Sequence, residues 1–146
     1  MKVLVTGSTG QLGQTFKNFH SRNKNYFFSS RNDFDLIKPK RLLKFLDKLK
    51  PNLIINCAAY TKVDKAETEK DLAFSINSEA IKTISKWSFE NKSFLIHFST
   101  DYVFDGFKKE SYKEDDLPNP LNVYGKSKLS GENAFLNSNT DGICIR

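Results

Sequence analysis

The run Lys2-Val3-Leu4-Val5-Thr6 passes directly into Gly7-Ser8-Thr9-Gly10-Gln11-Leu12-Gly13, and no other stretch limits the fold as strongly. An apolar segment of strand length meets three glycines, then a segment whose apolar residues Leu12, Phe16 and Phe19 recur on one helical face. Strand, tight turn and helix in that order leave backbone N–H groups unpaired at the helix start, where they can hold a pyrophosphate. Gly7, Gly10 and Gly13 permit the turn, the close approach of a ligand and the packing of helix on strand. The spacing is G-x-x-G-x-x-G, one residue longer than the dinucleotide fingerprint G-x-G-x-x-G. The position of the loop after a first strand supports a nucleotide site.

The same alternation continues along the chain. Tyr26–Ser29 is a second short strand, and the basic segment Lys38–Lys50 sets Leu and Phe at helical spacing among cations, as a half-buried helix does. Asn52–Ala59 is a third strand with a small-residue exit. Asp64 to about Asn91 is helical with a break near Ser75, Phe94–Phe98 is a fourth strand, Val123–Leu136 is helical, and Gly142–Arg146 begins another strand. Strands separated by helices pair in parallel through crossovers, so the expected class is α/β, a doubly wound parallel sheet of the Rossmann type. The 146 residues make one domain at most. The expectation is an incomplete NAD(P)-binding domain over residues 1–146, stopping before its last strands and lacking a C-terminal substrate lobe.

Charge at the second strand end bears on cofactor choice. An acidic residue there selects a free ribose 2′-hydroxyl, whereas Ser29-Ser30-Arg31 supplies hydroxyls and a guanidinium suited to a 2′-phosphate. NADP is favoured, and Asp33 and Asp35 close behind keep NAD open.

A second constellation lies far along the chain. Tyr124 and Lys128 stand at i and i+4 and leave one face of the same helix. A phenol with a free pKa of ~10 is a weak acid-base group at neutral pH, but an adjacent ammonium stabilises phenolate. Such a Tyr can protonate a carbonyl oxygen as hydride reaches its carbon. Thr100 follows the fourth strand, at the end of the sheet where open parallel sheets bind ligands, and its hydroxyl can orient the same carbonyl. Ser99 is expected to serve as a local backbone partner. The expected catalytic set is Thr100, Tyr124 and Lys128.

Other features carry less. The formal net charge is +6, compatible with an anionic ligand, but the basic helix explains itself as a solvated face and no nucleic-acid motif accompanies it. Cys57 and Cys144 sit in apolar segments and read as free thiols in a reducing cytoplasm. No apolar run reaches membrane-spanning length, so no membrane partner is expected. His20 and His97 are expected to be packed or solvated, Asp115 and Asp116 solvated, and no metal set is apparent.

Three blocks, Val5-Thr6-Gly7-Ser8-Thr9-Gly10-Gln11-Leu12-Gly13, Asn56-Cys57-Ala58-Ala59-Tyr60-Thr61-Lys62-Val63-Asp64 and Ser99-Thr100-Asp101-Tyr102-Val103-Phe104-Asp105-Gly106, together with Tyr124-Gly125-Lys126-Ser127-Lys128, resemble the extended short-chain dehydrogenase/reductase family. The resemblance implies NADPH-dependent reduction of the 4-keto group of dTDP-4-dehydro-L-rhamnose to dTDP-L-rhamnose, a precursor of surface polysaccharide. By the same matching Gly7, Gly10, Gln11, Leu12, Ala58 and Ala59 line the cofactor, Asp35 and Leu36 lie by the adenine, and Lys128 also binds the nicotinamide ribose. Thr61, Val63 and Tyr102 are implied to lie near the dTDP-sugar. Related dehydratases carry an acidic pair after the threonine; Asp101-Tyr102 lacks the second carboxylate, which favours simple reduction. Some members bind magnesium at a dimer contact through an acidic residue on the first helix, where this chain has Thr15, so no metal is expected and a homodimer is left to the full-length protein. Similar sequences also serve as regulatory subunits of methionine adenosyltransferase, so a non-catalytic NAD(P)-binding module is the alternative, beside an inactive fragment.

Overall fold

The computed structural model describes residues 1–146. Five parallel strands, β1 (Val3–Thr6), β2 (Tyr26–Phe28), β3 (Leu53–Asn56), β4 (Phe94–Phe98) and β5 (Gly142–Ile145), lie in the order β2-β1-β3-β4-β5. The helices are α1 (Gln11–His20), α2 (Pro39–Leu49), α3 (Val63–Ala66), α4 (Lys70–Phe74), α5 (Ala80–Glu90) and α6 (Val123–Leu136). The order reverses direction between β1 and β3, which creates a crevice at the carboxyl ends of those strands.

Right-handed crossovers then place the helices unequally. The face carrying Leu4, Ile54 and Leu95 is sealed by Leu42 and Leu46 of α2, Ile81, Ile84 and Trp87 of α5, and Phe135 of α6. The opposite face packs Val3, Val5 and Ile55 against Phe16 of α1, with Ile96 and Phe98 only partly covered. Towards β5 it is open: Phe94, Ile143 and Ile145 remain 41–47% exposed. A parallel sheet is ordinarily covered on both faces.

Two local expectations change. The apolar face of α1 is largely solvated, with Phe19 80% exposed and only Phe16 half-buried, because one helix alone spans that side of the sheet. The long helical region does not break at Ser75. It passes from α4 into α5 through a π-helical turn, Ser75–Glu79, and α3 is a separate short helix before it. The extra residue of the π turn aims Asn77 inward, where its Oδ1 accepts from the Tyr60 amide at 2.8 Å and its Nδ2 donates to Tyr60 O at 3.0 Å and Ser127 Oγ at 2.9 Å. That side chain fastens the segment after β3 to α6. Gly131 of α6 makes the approach feasible, since a Cβ there would lie 2.0 Å from Asn77 O.

Candidate active site

The glycine loop is shaped by two contacts. Gly7 has φ +66°, and a Cβ on it would meet Ala58 Cα and N at 2.8 Å, so the loop after β1 lies directly against the chain leaving β3. Gly13 packs the first turn of α1 onto the same loop; a Cβ there would sit 2.2 Å from Gly7 O. Gly13 is buried, so what it can offer a ligand is its backbone amide. The N-cap Gly10 has no side chain to cap the helix, and the first N–H to find a partner is that of Gln14, which donates to Gly10 O at 2.9 Å. The amides of Gln11, Leu12 and Gly13 remain free for an anion.

Beside this loop is a cavity of about 300 Å³ lined by Gly7, Gly10, Ser29, Ser30, Arg31, Asp35, Leu36, Ala58 and Ala59 among others. Seven residues expected to contact a cofactor thus converge: Gly7, Gly10, Arg31, Asp35, Leu36, Ala58 and Ala59. Arg31 forms no ion pair. Asp33 is turned away from the cavity, its Oδ2 accepting from Ser30 N at 2.8 Å and Ser30 Oγ at 3.1 Å. Of the two acids that would favour NAD, Asp33 is occupied within its own turn, whereas Asp35 lines the cavity.

The second constellation sits at the carboxyl end of β4. Thr100 is extended, its Oγ1 accepting from Tyr102 N and donating to Asp101 Oδ1, both at 3.2 Å. Asn122 caps α6 by accepting from Gly125 N at 2.7 Å, and Glu67 Oε1 accepts from Val123 N at 2.8 Å. This pins the first turn that carries Tyr124, whose ring meets Tyr102 edge-on at 5.6 Å. Burial raises the pKa of Tyr124 above its ordinary value, and the nearby Thr100 hydroxyl opposes that rise. Thr100 and Tyr124 are therefore together.

Lys128 is placed differently from the expectation. It is almost completely buried and its Nζ donates to Phe98 O at 2.6 Å rather than to the phenol. Desolvation lowers its pKa to about 8, with Cys144 and Glu132 opposing. No ammonium stabilises phenolate at Tyr124 in this arrangement; removal of the phenol from water is the larger influence on it.

The remaining expected residues divide. Val63 packs partly against the cluster containing Tyr60, Val123 and Tyr124, whereas Thr61 is exposed. Tyr102 lines a separate groove of about 1000 Å³, together with Asp101, Phe104, Glu132 and Arg146. In that groove Arg146 pairs with Glu132, Nη2 to Oε2 at 2.8 Å, and also donates to Glu114 O at 3.0 Å. Ser99 Oγ is buried without a hydrogen-bond partner, contrary to its expected local role. Asp116 is not simply solvated but accepts from Lys108 Nζ at 2.6 Å. Cys57 and Cys144 are free thiols, and no helix is long and apolar enough to cross a membrane. Motif matching missed Asn77 and Glu132; a lone Asn amid an apolar helical pattern was the one available signal for the first.

The RmlD substrate binding domain family matches residues 1–146. The dTDP-4-dehydrorhamnose reductase of Aggregatibacter actinomycetemcomitans is 39% identical over 99% of this chain and 50% of its own length. The methionine adenosyltransferase 2 subunit beta of Bos taurus is 37% identical over 99% of this chain and 46% of its own. Among solved structures, dTDP-4-dehydrorhamnose reductase from Bacillus anthracis str. Ames in complex with NADP superposes with a TM-score of 0.94 at 34% identity, covering all of this chain and 53% of that one. The chain spans about half the length of the curated relatives it matches.

Proposed function

The chain belongs to the RmlD substrate binding domain family, and on that premise we propose that it is the cofactor-binding, N-terminal portion of an NADPH-dependent reductase converting dTDP-4-dehydro-L-rhamnose into dTDP-L-rhamnose. The observation that carries the proposal is Thr100 at the carboxyl end of β4 with Tyr124 near it, buried Lys128 one turn further along the same helix, and the glycine-loop cavity at the carboxyl ends of β1 and β3 of the same sheet. Reductase relatives at 39% identity, and a reductase structure holding NADP, support the choice of chemistry.

The residues present fit a dinucleotide. Gly7 leaves open the space a Cβ would fill against Ala58, the three free amides at the start of α1 suit the pyrophosphate, and Arg31 is an uncommitted cation for a 2′-phosphate. Gln11 and Leu12 contribute through these amides, Asp35 and Leu36 through the cavity wall. A nicotinamide cofactor bound there supplies hydride to the keto carbon. Tyr124 gives its proton to the carbonyl oxygen, and its raised pKa keeps the phenol protonated until charge develops on that oxygen. Thr100 orients the oxygen. Lys128, held by Phe98 O, supplies a donor for the nicotinamide ribose. Thr61, Val63 and Tyr102 form the near side of the sugar-nucleotide site. The open sheet face at Phe94, Ile143 and Ile145 is where the remaining half of a complete reductase packs.

The test is the complete reductase assayed for NADPH oxidation, which is expected only when the keto-sugar nucleotide is added. Oxidation independent of that substrate, or none with it, removes the assignment. The 37% identity to a methionine adenosyltransferase beta subunit supports a non-catalytic alternative. Stable co-purification with a synthetase, without keto-sugar turnover, would favour that role.

A further inference from the structure

A buried polar row crosses the sheet behind the cofactor cavity. Thr6 of β1, Asn56 of β3 and His97 of β4 are consecutive register partners, and each is at most 1% exposed. Two of them grip one residue of the cavity wall, Ala58, by both its backbone polar groups. The Ala58 amide donates to Thr6 Oγ1 and the Ala58 carbonyl accepts from Asn56 Nδ2, both at 3.4 Å. Thr6 Oγ1 in turn donates to Asn56 Oδ1 at 2.6 Å. Gly7 lies against Ala58 so closely that a Cβ would not fit between them, so a shift of Ala58 displaces the glycine loop as well.

Asn56 holds Ala58 only while its side-chain amide keeps one orientation, and His97 meets that amide from the other side, its Nδ1 3.1 Å from Asn56 Nδ2. Ala58 O can accept but not donate, so the amide atom facing it is the nitrogen; reversal would set Oδ1 against Ala58 O with no proton between them. The same nitrogen donates to His97 Nδ1, and a ring nitrogen that accepts carries no proton. Burial and then the charge of Lys128 hold His97 to a pKa of about 3, so the ring is neutral in the physiological range and its one proton sits on Nε2. Nε2 is buried without a hydrogen-bond partner, so nothing on that side of the ring competes for the choice of tautomer. The opposite tautomer would oppose two donors across 3.1 Å and turn the amide off Ala58.

We infer that His97 is a positioning residue for the cofactor cavity: as the Nε2–H tautomer it presents a lone pair to Asn56, fixes the amide that holds Ala58, and so sets the wall against which a dinucleotide lies. His97 is not itself among the residues lining the cavity, and each link from ring to wall is a hydrogen bond. The part played by the dinucleotide rests on the proposed cofactor site; the tautomer and the hold on Ala58 do not.

The experiment joins three measurements on the wild-type chain, His97→Leu and His97→Asn: long-range 1H–15N correlation NMR of the His97 ring, hydrogen exchange of the Ala58 amide, and fluorescence titration with NADPH. The wild-type ring is expected to be the Nε2–H tautomer. His97→Leu removes the acceptor, so Ala58 exchange is expected to quicken and NADPH binding to weaken, each by about 3–10-fold, the contribution of one buried hydrogen bond. His97→Asn can set its Oδ1 where Nδ1 stood and is expected to restore most of both. Added to Asn56→Ala, His97→Leu is expected to have no further effect, because the ring acts through that amide. An Nδ1–H ring in the wild type, equal losses in His97→Leu and His97→Asn, or additive losses in the double variant overturns the inference; a histidine that only fills space would give the last two. If His97→Leu does not fold, the wild-type tautomer, which needs no variant, still decides. An Nε2–H ring and the expected Ala58 exchange in a chain that does not bind NADPH would count against the cofactor site instead.

Discussion

Lys128 Nζ lies 2.6 Å from the backbone carbonyl of Phe98, at the end of the strand that leads into Thr100. The lysine is thus anchored to β4 before any ligand enters, and α6 is tied to the strand that presents the threonine. Burial sets its pKa near 8, so its charge changes within an accessible pH range.

One prediction concerns cofactor affinity. If protonated Lys128 donates to the nicotinamide ribose, NADPH binding weakens as pH rises through about 8. Fluorescence titrations at fixed ionic strength between pH 6.5 and 9.5 measure this, and Lys128→Met is expected to flatten the profile.

Cofactor choice gives another. Arg31→Ala removes the uncommitted cation of the 300 Å³ cavity, so the expected loss is confined to NADPH, about 1.5–3 kcal/mol for a charged hydrogen-bonded pair. NADH affinity should be little changed. Equal losses for both cofactors in parallel titrations would show that Arg31 does not meet the 2′-phosphate.

Acid sensitivity follows from His97. Its native pKa is near 3 against an ordinary 6.5, so between those values the unfolded chain binds a proton that the native chain does not. Stability therefore rises with pH across that window and is eroded as pH falls through it, by up to about 1.4 kcal/mol per pH unit from this one group. Urea denaturation at pH 4, 5, 6 and 7 checks the slope, which His97→Gln should reduce.

Gly131→Ala tests the seating of α6. Its Cβ would lie 2.0 Å from Asn77 O, a backbone atom that cannot rotate away, so a stability loss of about 1–3 kcal/mol is expected. A midpoint in urea equal to that of the wild type would mean that the helix shifts without cost.

Much of this was legible in the chain. Lys2–Thr6 followed by three glycines marked β1, the turn and α1, and α6 was read from about Val123 to Leu136 because the proline-containing loop Asp115–Pro120 precedes it. The solvated side of Phe19 was not legible, because periodicity identifies an apolar face without saying whether anything covers it. The π turn escaped for a similar reason: one added residue alters the phase by which Asn77 points inward, and composition carries no trace of that. Tyr124 and Lys128 were found as neighbours by spacing, but spacing could not reveal a backbone acceptor, and Phe98 O takes the ammonium. The row Thr6–Asn56–His97 depends on register between strands far apart in sequence, so His97 read as an ordinary packed residue.

The most direct test of the proposed chemistry is the turnover of Tyr124→Phe in the complete reductase, measured beside its dissociation constant for NADPH. Removal of the proposed proton donor near Thr100 should lower turnover by about 10²–10⁴-fold and leave cofactor binding unchanged. Turnover within a few-fold of wild type would contradict a role for Tyr124 in the proton transfer.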